Sequence, residues 1–166
     1  MHLWPGQWLA GATTRPGAVI CVAEGTYAEE IAPGEKYFTL AGGFQRGQGF
    51  KVRDSAKFVS HAKGKGSGSF LRIQDPGPVS GLTAVDGFEI SGYSQAIVRD
   101  FYVPQRFDLT NNYIHDNKCS DPNAFGGAFG LNNISGVIRG NVIRKNECSW
   151  GGGGFLNDGW ACTQGQ

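Results

Sequence analysis

Short apolar runs recur along the chain, each bounded by Gly, Asn, Asp or Pro. The clearest are Ala18-Val19-Ile20-Cys21-Val22, Tyr37-Phe38-Thr39-Leu40, Phe70-Leu71-Arg72-Ile73, Gly87-Phe88-Glu89-Ile90, Gln95-Ala96-Ile97-Val98 and Gly136-Val137-Ile138-Arg139. They have the length of strands, are rich in β-branched and aromatic residues, and end at turn-forming residues. No long stretch has the three-to-four spacing of an amphipathic helix. The best helical candidate is the short segment 8–13, which suits a cap near the N-terminus. The pattern predicts an all-β chain.

An internal repeat narrows the architecture. Residues 111–120 (NNYIHDNKCS) align with 140–149 (GNVIRKNECS) at an offset of 140 − 111 = 29. Asn112, Ile114, Asn117, Cys119 and Ser120 fall on Asn141, Ile143, Asn146, Cys148 and Ser149. A weaker echo follows, in which Gly126-Gly127-Ala128-Phe129 before Leu131-Asn132 matches Gly152-Gly153-Gly154-Phe155 before Leu156-Asn157, at 152 − 126 = 26. The earlier copy is therefore about three residues longer, with Asp121-Pro122-Asn123 as the insert, within the range of turn insertions. The segment from Gly87 to Tyr93 reads as a degenerate earlier copy.

A unit this short cannot fold alone. It suits one coil of a solenoid, whose apolar face is buried only against its neighbours. Stacking places Ile114 over Ile143 as an internal aliphatic file. Asn112 over Asn141 and Asn117 over Asn146 become turn files, where asparagine tolerates left-handed backbone and can bond to the next coil. The same register sets Asp116 against Lys145 and Lys118 against Glu147, both opposite in sign. The competing reading is a β-sandwich with solvated surface charges.

A family resemblance is visible here. Pro16-Gly17-Ala18-Val19-Ile20-Cys21-Val22-Ala23-Glu24-Gly25-Thr26-Tyr27-Ala28-Glu29 resembles the first coil of pectate-lyase-like β-helix proteins, with Ala18 in place of the usual Asp. Thr39-Leu40-Ala41-Gly42-Gly43-Phe44 and Val85-Asp86-Gly87-Phe88-Glu89-Ile90-Ser91-Gly92 resemble further coils of bacterial secreted and surface-exposed members. The resemblance implies a right-handed single-stranded parallel β-helix of about five to six coils. It implies one domain over 1–166, with 1–15 as a cap and a truncated C-terminal end. If that end is complete, dimerisation would cover it. The superfamily holds lyases, hydrolases, esterases and adhesins, so the likeness speaks to fold more than to function.

Composition limits the partners. The chain has 166 residues, enough for one buried core. Charged residues are 17% and glycines number 27, which suits a fold of many tight turns. The net charge is +1 with no basic stripe, so nucleic acid is a poor partner. An acidic polysaccharide stays open, since local patches matter more than the sum. No apolar run approaches the roughly 20 residues of a membrane span. The start lacks the features of a secretion leader, so the protein is either cytoplasmic or has its leader outside this chain. The resemblance nevertheless implies a secreted or cell-surface protein whose leader lies outside this chain.

The cysteines do not form a metal-binding CxxC pattern. Cys119 and Cys148 align in adjacent coils, about 4.8 Å apart, inside the roughly 4.4–6.8 Å Cα window of a disulfide. The expected bridge competes with two stacked buried thiols and with a Cys148–Cys162 pair. Cys21, in an apolar strand, reads as an inert core thiol.

Several residues are candidates for chemistry. A β-helix lyase of the kind the resemblance implies needs a cation, often Ca²⁺, and a Lys or Arg base. Weak catalytic candidates are Asp100, Asp108, Asp116, His115, Arg144 and Lys145. Other acids are Asp86, Glu89 and Asp121, and other bases are Arg99, Arg106, Lys118 and Arg139. No clustered acidic calcium pattern appears, so no cofactor is required and the default for these charges is a solvated turn. There is no Asp-Asp pair for a glycosidase. Asp116 with Arg144 is a fragment of an esterase-type set, and His115 is either a general base or a polar surface residue. Trp150 and Trp160 flank the glycine run 151–154 and either stack on sugar rings or close the turn. The segment 64–69 fails the phosphate-loop pattern and reads as a loop between coils. Asn133-Ile134-Ser135 is a glycosylation sequon by pattern.

The leading functional reading is a non-catalytic fragment of a secreted or cell-surface β-helix protein, a glycan-binding or adhesin-like scaffold. The alternative is a polysaccharide lyase acting on acidic polysaccharide with Ca²⁺. A third is a cap or assembly module that forms homo-oligomers through exposed coil ends.

Overall fold

A computed structural model describes residues 2–3, 16–32, 37–73, 81–99, 105–119, 126–149 and 153–157. Within them the chain is all-β, with no helix. The strands are β1 (His2–Leu3), β2 (Ala18–Ala23), β3 (Gly25–Tyr27), β4 (Phe38–Phe44), β5 (Ser60–Lys63) and β6 (Leu71–Arg72). There follow β7 (Leu82–Asp86), β8 (Phe88–Ser91), β9 (Ile97–Arg99), β10 (Gln105–Thr110), β11 (Tyr113–His115) and β12 (Phe129–Asn132). The last are β13 (Ile134–Ser135), β14 (Ile138–Arg139), β15 (Val142–Arg144) and β16 (Gly154–Asn157).

These strands form three sheets in which every strand-to-strand pairing is parallel. The first runs β1-β2-β4-β7-β10-β13, with β14 also on β10. The second runs β15-β11-β8-β5-β3, and the third β16-β12-β9-β6. Apart from β1 and β2, neighbours in a sheet are not consecutive among the described strands. From β7 onward the chain visits first, second and third sheet in turn and then returns to the first. The segment 8–13 lies outside the described residues.

Register follows the inward apolar positions. In the second sheet Ala62, Ile90, Ile114 and Ile143 share one file. The first three are fully buried and Ile143 packs against them. Each fully buried aliphatic side chain contributes roughly 1.5–3 kcal/mol. Ile114 faces Ile143 and Lys118 faces Glu147 at the expected separation of 29. Glu89 faces Tyr113, so the segment from Gly87 is the earlier copy. In the third sheet Phe129 lies on Gly154 and Leu131 on Leu156, an offset of 154 − 129 = 25 rather than 26. The intervening turn is thus four residues longer in the earlier copy, and Asp121-Pro122-Asn123 lies outside the described residues.

The corners correct one detail of the turn files. Left-handed backbone falls one residue before each asparagine. Gly87, Asn111 and Gly140 have φ of 74°, 55° and 68°, and Gly92, Asp116 and Lys145 have 72°, 51° and 53°. These turns are sharp, and the asparagine that follows keeps ordinary backbone and spends its amide between strands. Asn117 Oδ1 accepts from Tyr93 N at 3.0 Å, while its Nδ2 donates to Ile90 O at 3.2 Å and Asn146 Oδ1 at 2.9 Å. Asn112 repeats this with Phe88 N, Val85 O and Asn141 Oδ1. Bends that would strand backbone polar groups inside are satisfied this way.

Cys119 and Cys148 are joined as a disulfide, with Cα atoms 4.9 Å apart. Lys118 Nζ lies 2.7 Å from Glu147. Asp116 closes on His115 rather than forming an ion pair with Lys145. Cys21 is not a core thiol: it is half-exposed, because Ile20 and Val22 on either side point inward. The segment 64–69 is irregular chain between β5 and β6. Among the described residues no helix is long and apolar enough to cross a membrane.

Residues 45–59 leave the first sheet after β4. Phe44 and Arg53 bridge antiparallel, and Gln45 N donates to Val52 O at 3.0 Å. Arg53 pins this loop: its Nε donates to Gly42 O at 2.8 Å, its Nη2 pairs with Asp86, and its guanidinium lies over the Phe44 ring. The loop thereby stands beside the second sheet.

Candidate functional site

The outward positions of the second sheet collect the polar chemistry. Parallel register puts Thr26, His61, Glu89, Tyr113 and Val142 in one file, and Lys63, Ser91, His115 and Arg144 in the next. Neighbouring files bring unlike groups together. His115 Nδ1 is 2.6 Å from Asp116 Oδ2, and its Nε2 is 3.1 Å from Glu89 Oε1. His115 thus bridges the two carboxylates. His61 Nε2 lies 2.8 Å from Ser91 Oγ and 3.7 Å from Glu89 Oε1. The rings of Tyr113 and His115 stack at 4.1 Å. The Arg144 guanidinium covers the other side of the network, 5.0 Å from the Tyr113 ring centre, with Nε donating to the Tyr113 hydroxyl.

Environment sets the charges. Burial pushes His61 below its ordinary value, against the pull of Glu89, and Lys63 and His115 add to the lowering. Burial would raise Asp86, but hydrogen bonds from Thr110, Arg53 and Asn111 and the Arg53 charge bring it below the usual range. The hydrogen bond from His115 holds Asp116 low, with Lys145 and Arg144 assisting.

A cleft of about 330 Å³ opens between this face and the loop of residues 45–59. Ser55, Ala56 and Val59 form the loop wall. Gly87, Phe88, Glu89, Asn111 and Asn112 line the corner, and Tyr113, Gly140 and Val142 continue the lining across the next strands. Val59 and Val142 are exposed, so the cleft joins apolar and aromatic surface to one carboxylate.

The described sequence candidates are divided between the first and second sheets. Asp108 lies in β10 of the first sheet, where its Oδ1 accepts from Val137 N at 2.9 Å and supports the following turn. Asp116 lies in the second sheet beside His115. Arg144 turns to Tyr113, and Lys145 occupies a left-handed corner position in the exposed turn. Asp100, Asp121, Trp150, Trp160 and Cys162 lie outside the described residues. Of the other acids and bases, Arg99 is fully buried and donates to Gln105 and to the Asn132 and Asn133 carbonyls. Among the described residues no group of three or more His, Cys, Asp or Glu side chains is placed to hold a metal ion.

Sequence reading missed His61, Ser91 and Tyr113. The only trace of them is that each lies next to one inward apolar residue, Ala62, Ile90 or Ile114. The Ser91–His61 contact resembles a nucleophile and its base. However, Ser91 is 6% exposed, so the pair ties β5 to β8 rather than presenting a nucleophile. Comparison with protein-family models, curated proteins and solved structures yields no match.

Proposed function

We propose that the chain is a right-handed parallel β-helix scaffold of a secreted or cell-surface protein that binds carbohydrate without transforming it. The regular order in which the chain visits its three sheets supports the winding, since parallel crossovers are right-handed with few exceptions. The cleft carries the binding reading. It joins the aromatic Tyr113, apolar walls at Val59 and Val142, and polar groups at Glu89, Asn111 and Asn112. Sugar rings present apolar faces and hydroxyl edges, and such a mixture is what they require. Among the described acids, Asp86 is hydrogen-bonded to Thr110, Asp108 to Val137 N and Asp116 to His115, which leaves them engaged within the scaffold.

Titration calorimetry with neutral, amino and uronic oligosaccharides tests this. Binding is expected, and Tyr113→Ala should weaken it at least about fivefold. Val142→Asp, at an exposed wall that bears no core load, should weaken it as well. Absence of binding to all three classes, or release of unsaturated products from a uronic polymer, overturns the reading.

A further inference from the structure

The cleft has a definite electrostatic character, and we infer from it that the saccharide it takes carries an amino group opposite Glu89. The inference rests on the carbohydrate-binding reading above. Among the residues lining the cleft, Glu89 alone bears a charge at neutral pH. The cations that stand near are already committed. Arg53 is bound to Asp86 and to the Gly42 carbonyl, and Arg144 lies flat on Tyr113 with its Nε on the hydroxyl. A uronate entering this space would meet a carboxylate with no cation in the lining to answer it. A protonated amine would find a charge-assisted partner beside an aromatic ring, both of which favour it.

The Glu89 side chain is also held ready. His115 fixes Oε1 at 3.1 Å, and is itself fixed by Asp116 at 2.6 Å and by the stacked Tyr113 ring. His115 between two acids leaves this three-residue group with surplus negative charge. An incoming cation would meet the Glu89 carboxylate beside His115, which already holds its Oε1. Preorganisation of this kind lowers the ordering cost of binding.

The test compares short oligomers of glucosamine, N-acetylglucosamine and galacturonic acid by titration calorimetry, at a mildly acidic pH where the sugar amine is protonated. The glucosamine oligomer should bind roughly tenfold more tightly than its N-acetylated counterpart. Glu89→Gln should bring the two within about twofold of each other, chiefly by weakening the glucosamine oligomer. Raising salt should erode the same advantage in the unaltered protein, a measurement that does not depend on the variant folding. Galacturonate binding as tightly as glucosamine, or an amine advantage that survives both Glu89→Gln and high salt, overturns the inference while leaving carbohydrate binding standing. Failure of all three oligomers to bind overturns both.

Discussion

Residues 111–119 and 140–148 share four of nine residues and lie one strand apart, yet their surroundings treat them differently. Ile114 is fully buried and Ile143 only partly. Asn112 and Asn117 are buried, whereas Asn141 and Asn146 are half-exposed, and Val142 is 56% exposed. The first stretch has β8 on one side and β15 on the other, while β15 is the edge of its sheet among the described residues. Local conformation is shared: Asp116 and Lys145 adopt the same left-handed turn, at 51° and 53°. The repeat therefore specifies shape and register, and the number of neighbours specifies energy.

The comparison can be broken or sharpened by experiment. The largest effect should come from the bond that joins the two stretches. Closing a separation of 29 removes unfolded-state freedom worth about 3–4 kcal/mol on the chain-entropy account. Cys119→Ser with Cys148→Ser should lower stability by that amount in urea unfolding, and an unchanged midpoint would show that the link does not form. Next, Ile114→Ala should cost about 3 kcal/mol and Ile143→Ala about 1. Equal losses would mean that the second stretch is as enclosed as the first. The asparagines should follow at smaller scale, with Asn117→Ala costing about 2 kcal/mol and Asn146→Ala about 1, because water can reach the groups that the second leaves unpaired.

The smallest effect is a pH dependence. His61 has its folded value lowered by burial, so between that value and its ordinary 6.5 the unfolded chain binds more protons than the folded one. Its contribution is complete above 6.5 and declines as pH falls through this window. Asp86 and Asp116, held low in the fold, favour the folded state down to their ordinary 3.8 and lose that effect only below it. His61→Gln should flatten the dependence just below 6.5 without touching the acid limb. A slope that persists in the variant would assign it to another group.

Repetition explains what was legible. One matched pair of cysteines, two of asparagines and one of isoleucines suffice to set a parallel register, because a shift of one residue would turn every inward side chain outward. The strands that lacked matched partners, such as β5 and β10, were harder to see. Ser60 and Gln105 are buried polar residues there, and they interrupt the apolar signal. The corner geometry was read one residue late, since asparagine both accepts left-handed backbone and bonds across strands, and composition alone does not separate those roles.

The sequence by itself determined that the chain is built of short strands, that Ile114 meets Ile143, and that Cys119 meets Cys148, since these follow from a repeat within one stretch of chain. Only the tertiary structure decided that His61, Glu89, His115 and Asp116 form one network, and that residues 45–59 close a cleft beside Tyr113. Those groups come from separate passages of the chain through the second sheet. Side-chain chemistry across parallel strands depends on which outward positions become neighbours, and inward packing sets that without leaving a mark on the outward residues themselves.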